Sequence, residues 1–264
     1  MGALQRCPQD VLHHIWSFLQ PLESASTFFL ANKSLHAMLL CFVGQLETIN
    51  LAHGRDEHAD AAYRLLRYAH AATDVSFHGC HLLVTPAFFS VVARHLEAMP
   101  RLSRLSLAYC TQLPSVSFAS ASLTSLVLTG CDHLVSLHLS CPLLTSLDCS
   151  WCRHLNAPSL LHRGGSRAFP VLSHLVLSGW DPSADAVTAQ IGLLVRALPA
   201  LTSLDLSHVA LSDTSLYAVF LLGEALRSLV LSQPQANVWV DGTWSTAFLQ
   251  AWSARRPEIA VALV

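Results

Sequence analysis

Cysteine and histidine are the residues of this chain whose types and spacing could do chemistry. Cys149-Ser-Trp-Cys152 has the separation of a zinc ligand pair, and His154 follows it. A structural zinc site needs four ligands in tetrahedral geometry. Cys131, His133 and Cys141 are the candidates to complete one. The register of the cysteines argues against this use. Cys80, Cys110, Cys131 and Cys152 occupy one place in an internal repeat, three residues after its last core-facing residue. Cysteines so placed read as small buried residues that meet turn backbone. The fifteen histidines are scattered, and no pair has the HExxH spacing of a zinc protease. No nucleophile has a base and an orienting group beside it in a local signature. Gly164-Gly165 lacks the GKS and GxGxxG patterns of phosphate loops and reads as a turn. The expectation is a non-catalytic chain with no metal and no cofactor.

The elements that position these residues come from a repeated phrase. It consists of a leucine-like residue, two others, an apolar residue, one other, and another apolar residue. Clear copies are LSRLSLAYC at Leu102, LTSLVLTGC at Leu123, LTSLDCSWC at Leu144, LSHLVLSGW at Leu172, LTSLDLSHV at Leu201 and LRSLVLSQP at Leu226. Weaker copies are LETINLAHG at Leu46 and ATDVSFHGC at Ala72. The starts at 46, 72, 102, 123, 144, 172, 201 and 226 are separated by 26, 30, 21, 21, 28, 29 and 25 residues. Periods of this size mean stacked strand-plus-return units. Within the phrase, pairs such as Leu126 and Leu128, or Leu204 and Leu206, alternate with period two and face a core. One unit cannot cover its own leucines, so stacking supplies the stability.

The longer repeats have room for a helix between strands. Ala62, Leu65, Leu66 and Ala69 fall at helical spacing within Arg55 to His70. Thr85-Pro86 has the form of a helix start, followed by the stripe Phe89, Val92, Leu96 and Met99. Val187, Ile191, Leu194 and Leu198 make another stripe, and Leu216, Val219 and Phe220 begin a third after Ser212-Asp213. The two 21-residue repeats leave little room, so their outer side is either irregular or a short second strand filled by Leu134, Leu137 and Leu139. Pro257 to Val261 reads as a last, degenerate strand.

This pattern resembles the cysteine-containing leucine-rich repeat family, with Cys where other members use Asn. The resemblance covers about Leu46 to Val264. It implies an α/β leucine-rich-repeat solenoid: a curved parallel sheet with helices on the convex side. Strand residues pointing away from the core would line the concave face. Most are small, such as Ser106, Ser125, Val127, Ser203 and Ser228. Those that could anchor a protein substrate are Arg104, Tyr109, Asp148, Trp151, His174, Asp205 and His208, since Tyr, Trp and Arg dominate interface energies.

The first forty-odd residues differ. Pro8-Gln9-Asp10 opens a helix carrying Val11, Leu12, Ile15, Trp16 and Leu19, and Gln20-Pro21 stops it. Two further apolar segments, Ala25 to Ala31 and Leu35 to Phe42, complete three short helices. A unit this small buries too little surface alone. Pro8, Asp10, Val11, Leu12, Ile15, Phe18, Leu19, Pro21 and Asn32-Lys33 resemble an F-box, with departures at Cys7, Ser24 and Leu35. The resemblance covers roughly Cys7 to Leu40. It divides the chain into an F-box-like helical unit at 1–45 and a solenoid at 46–264.

An F-box before leucine-rich repeats implies the substrate-recognition subunit of an SCF-type E3 ubiquitin ligase. Its partners would be a Skp-type adaptor, the cullin ligase core and a protein substrate. Pro8, Leu12, Ile15, Phe18 and Leu19 would make the adaptor contact, a helix-in-groove mode. The alternative is a leucine-rich-repeat scaffold unrelated to ubiquitin, with these residues capping the solenoid. On the ligase reading, the single lysine, Lys33, against fourteen arginines would limit modification of the receptor itself. An arginine-favouring codon usage would give the same count.

Bulk properties narrow the partners. The formal charge is −2 with no basic stripe, which argues against nucleic acid. The best candidate for a membrane span, Phe28 to Gly44, is interrupted by Asn32, Lys33, Ser34 and His36. No basic start leads into an apolar run, so no signal peptide is expected. A reducing compartment follows, cytoplasmic or nuclear.

Overall fold

A computed structural model describes residues 43–155, 158, 160, 169–181, 184–233 and 244–264 of the chain. The F-box-like residues Pro8, Leu12, Ile15, Phe18 and Leu19 lie outside these residues, as do Gly164 and Gly165. Eleven strands are described: β1 (Thr48–Asn50), β2 (Asp74–Ser76), β3 (Arg104–Ser106), β4 (Ser115–Ala119), β5 (Ser125–Val127), β6 (Ser136–Ser140), β7 (Ser146–Asp148), β8 (His174–Val176), β9 (Ser203–Asp205), β10 (Ser228–Leu231) and β11 (Ala260–Leu263). Nine of them form one sheet in the order β1-β2-β3-β5-β7-β8-β9-β10-β11, and every pairing is parallel. The fold is therefore α/β and solenoid-like.

Each of the first eight strands of this sheet starts two residues after the first residue of its phrase. The register is then the register of the repeat. Ile49, Val75, Leu105, Leu126, Leu147, Leu175, Leu204 and Leu229 stand in one row, and all are buried. Two residues on, Leu51, Phe77, Leu107, Leu128, Cys149, Leu177, Leu206 and Leu231 make a second buried row. Each buried side chain thus meets its equivalents in the neighbouring repeats. The last strand, expected at Pro257 to Val261, lies further on at Ala260–Leu263 as β11, paired with β10.

The outer side follows repeat length. Five helices are described: α1 (Ala59–Tyr68), α2 (Pro86–Glu97), α3 (Ala184–Ala197), α4 (Asp213–Leu222) and α5 (Thr246–Arg255). A 3-10 turn at Asp56–His58 precedes α1. Thr85 caps α2 by accepting from the Phe88 N–H at 3.2 Å, with Pro86 in the first turn. Ser212 caps α4 in the same way through Ser215. All the predicted stripe residues of α1 to α4 are buried, including Leu65, Val92, Ile191 and Val219. In the two 21-residue repeats the outer side is strand: β4 and β6 pair in parallel, with Val116, Phe118 and Leu137 turned into the core.

α5 was absent from the sequence reading. Ser245 caps it, accepting from the Phe248 N–H, and bonds Asp213 at the start of α4 through both its N–H and its hydroxyl. At the other end Arg256 donates to the Phe220 carbonyl in the last turn of α4 and to the Gly223 carbonyl just past it. Trp252 stacks on Phe220 with ring centroids 5.8 Å apart. Among the described residues no helix is long and apolar enough to cross a membrane.

Candidate interaction surface

The surface is built from the residue that follows each strand's turn. At the eighth residue of the phrase the backbone turns left-handed in seven successive repeats: His53, Gly79, Tyr109, Gly130, Trp151, Gly179 and His208, with φ between 56° and 70°. This conformation is costly for side chains other than glycine. A ladder of hydrogen bonds holds it. The N–H of each of these residues from His53 to Gly179 donates to a carbonyl of the next repeat at 2.7–2.9 Å, as from Tyr109 to Thr129 and from Trp151 to Ser178. His208 donates to the Ser232 hydroxyl at 2.7 Å.

The next residue points inward and closes the turn in five of these repeats. Cys80, Cys110, Cys131 and Cys152 are fully buried, and their thiols donate to the carbonyls of Leu51, Phe77, Leu107 and Leu128 in the preceding repeat. Trp180 takes the same slot in the repeat that lacks a cysteine, and its indole N–H donates to the Leu155 carbonyl. Burial pushes the Cys80 thiol up to about 11 and the Cys110 thiol up to about 12. Hydrogen bonding with Cys152 and burial likewise raise Cys131 and Cys149, and the same hydrogen bonds lower Cys152. A metal ligand must be a thiolate, whereas Cys80, Cys110, Cys131 and Cys149 keep their protons inside the turns. Among the described residues no three His, Cys, Asp or Glu side chains come together as metal ligands.

The left-handed positions alternate between a ring and a glycine. The rings of the first, third and fifth repeats lie over the glycine of the next. A Cβ built on Gly79 would stand 2.6 Å from the His53 ring, and one on Gly130 would stand 2.6 Å from the Tyr109 ring. One on Gly179 would run into Trp151. The rings meet along the rim. His78 packs edge-on between His53 and Tyr109, at 5.7 and 5.2 Å, and Trp151 stacks on His208 at 5.5 Å. Tyr109 is 48% exposed and Trp151 39% exposed. Gly179→Ala should force the Trp151 ring off its floor and destabilise the protein by about 1–3 kcal/mol through clash and strain. A urea midpoint and the Trp151 indole NMR shift would report this; an unchanged shift would show that the ring does not rest there.

Below this rim lies the sheet face. Arg104 pairs with Asp74 at 2.9 Å across β2 and β3; both are partly solvated, so the pair is worth at most about 1 kcal/mol. Asp148 accepts from the N–H and hydroxyl of Ser150, and Asp205 accepts from the Ser207 N–H. Both carboxylates therefore hold turns as well as facing outward. His174 contacts the Ser173 hydroxyl at 2.8 Å. Asp148, Trp151, His174, Asp205 and His208 come together on β7, β8 and β9, while Arg104 and Tyr109 belong to β3, beyond β5. The sequence reading omitted His53, His78 and Arg153 as anchors. The signal for the rim was present in the eighth residue of the first seven phrases, which reads His, Gly, Tyr, Gly, Trp, Gly, His.

No protein-family model matches the sequence, and no curated protein matches it either. Among solved structures, a protein from Bacteroides fragilis is similar to this chain with a TM-score of 0.52 at 13% identity, over 91% of this chain and 68% of that one. Likeness at this identity concerns the fold alone.

Proposed function

We propose that this chain is the substrate-recognition subunit of an SCF-type E3 ubiquitin ligase. Its F-box-like residues dock a Skp-type adaptor, and its leucine-rich repeats present a protein substrate to the cullin core. The observation that carries the reading is the exposed aromatic rim on nine in-register parallel strands, set behind an F-box-like sequence. Partly exposed Tyr and Trp side chains on a rigid frame suit protein recognition.

The test is co-precipitation of the adaptor with the full chain and with Leu12→Asp plus Ile15→Asp. Two buried carboxylates in a helix-in-groove contact should lower adaptor recovery by about 50-fold or more. Circular dichroism of the double variant should remain that of the parent. Equal recovery from both proteins would leave the leucine-rich-repeat scaffold in place of the ligase subunit.

A further inference from the structure

We propose that the β7–β9 part of this surface docks an arginine-bearing segment of a partner protein, an assignment that rests on the substrate-receptor reading and names its substrate class. The aromatic side of the argument is the Trp151–His208 stack, whose planes are inclined by 29°, with Trp151 39% exposed. The chain's own Arg153 has its guanidinium carbon 5.8 Å from the Trp151 ring centroid. That ring therefore already accepts a guanidinium, which stacks on aromatic faces more readily than an ammonium does.

Charge supplies the second side. Asp148 and Asp205 pair with Val176 in register from its two sides, so they stand in one row, two strand spacings or about 9.5 Å apart. The Oδ1 of each serves its own turn, and neither carboxylate is in an ion pair among the described residues. Asp74, the other carboxylate on the described strands of this face, is already paired with Arg104. Between the two aspartates stands Val176, and the row beside it is Ser146, the exposed His174 and Ser203. A planar guanidinium can lie there and donate to both carboxylates at once, which a single-point ammonium does less well. Arg153 offsets part of the local negative charge and already covers the Trp151 ring, so the contribution comes from paired hydrogen bonds in fixed geometry.

The experiment pans a displayed random dodecapeptide library on the full chain and measures the enriched peptides in solution. The enriched sequences should share one arginine. Replacing that arginine with citrulline, its neutral isostere, should weaken binding at least tenfold. Asp148→Asn plus Asp205→Asn should weaken the arginine peptides by a similar factor, because Asn keeps the turn acceptor and removes the charge. Asp74→Asn should change binding less than twofold. No enrichment, enrichment without arginine, or indifference to citrulline or to the double variant would overturn the assignment. Adaptor recovery is read separately. Arginine-dependent binding without adaptor recovery removes the ligase reading alone; adaptor recovery without arginine dependence removes this inference alone.

Discussion

Trp180→Ala will cost about 4 kcal/mol of stability, within the range for truncating a buried aromatic. Trp180 is 1% exposed and fills the slot that cysteine fills in four other repeats. Its loss opens a cavity between two stacked units and leaves the Leu155 carbonyl without its indole donor. An unpaired buried acceptor adds its own desolvation cost. Trp180→Phe separates the two effects. It keeps most of the ring volume and leaves the Leu155 carbonyl without its donor, so its loss should fall below that of the alanine variant. Urea unfolding with an unchanged m-value measures both. A cost under about 1 kcal/mol for Trp180→Ala would mean that the units close over the vacancy, against the rigid stacking described.

The second large effect is a loss of stability in alkali. The Cys110 thiol rises from an ordinary value of 9.0 to about 12 because burial penalises its thiolate. The folded chain then keeps a proton that the unfolded chain gives up above pH 9. Stability from this group is complete below pH 9 and is lost as pH rises toward 12, at about 1.4 kcal/mol per pH unit. Cys80 and Cys141, both raised to about 11 by burial, act in the same direction over the lower part of that window. The protein should therefore lose stability progressively between pH 9 and pH 12. With one lysine and four tyrosines in the chain, few other groups titrate there. Cys110→Ala should flatten the pH slope by up to one proton. Equal denaturant midpoints at pH 8 and pH 11 would contradict the account.

The sheet was legible because two periods coincide. Period two sets which residues are buried, and the 21-to-30-residue period sets which strands are equivalent, so Leu126 and Leu204 could be placed without a structure. The caps at Thr85 and Ser212 were legible because hydroxyl capping is local chemistry. α5, on the return after the copy at Leu226, was missed because its apolar stripe of Phe248, Leu249 and Trp252 is short and only Leu249 of the helix is buried. Its position is instead fixed by Ser245 on Asp213 and Arg256 on Phe220, contacts spanning more than thirty residues. The candidate surface was half legible. Alternation identified the outward residues, including Asp148 and Trp151. The ring-on-glycine pairing and the stacking of Trp151 on His208 depend on backbone sign and on neighbours 28 and 57 residues away, which no local pattern encodes.

The change of outer element from helix to strand at β4 and β6 sets where the molecule can bow. Helices packed side by side sit about 8–10 Å apart, whereas strands sit about 4.8 Å apart. Where α3 and α4 back the sheet, the outside is wider than the inside and the stack must arc. Where β4 and β6 run parallel behind β3, β5 and β7, the two sides have equal pitch and the arc relaxes. A partner laid across the whole face therefore meets a level stretch around β5 and a hollow beyond β8. A stiff ligand can rest on the first, while only a convex or pliant one can follow the chain into the second.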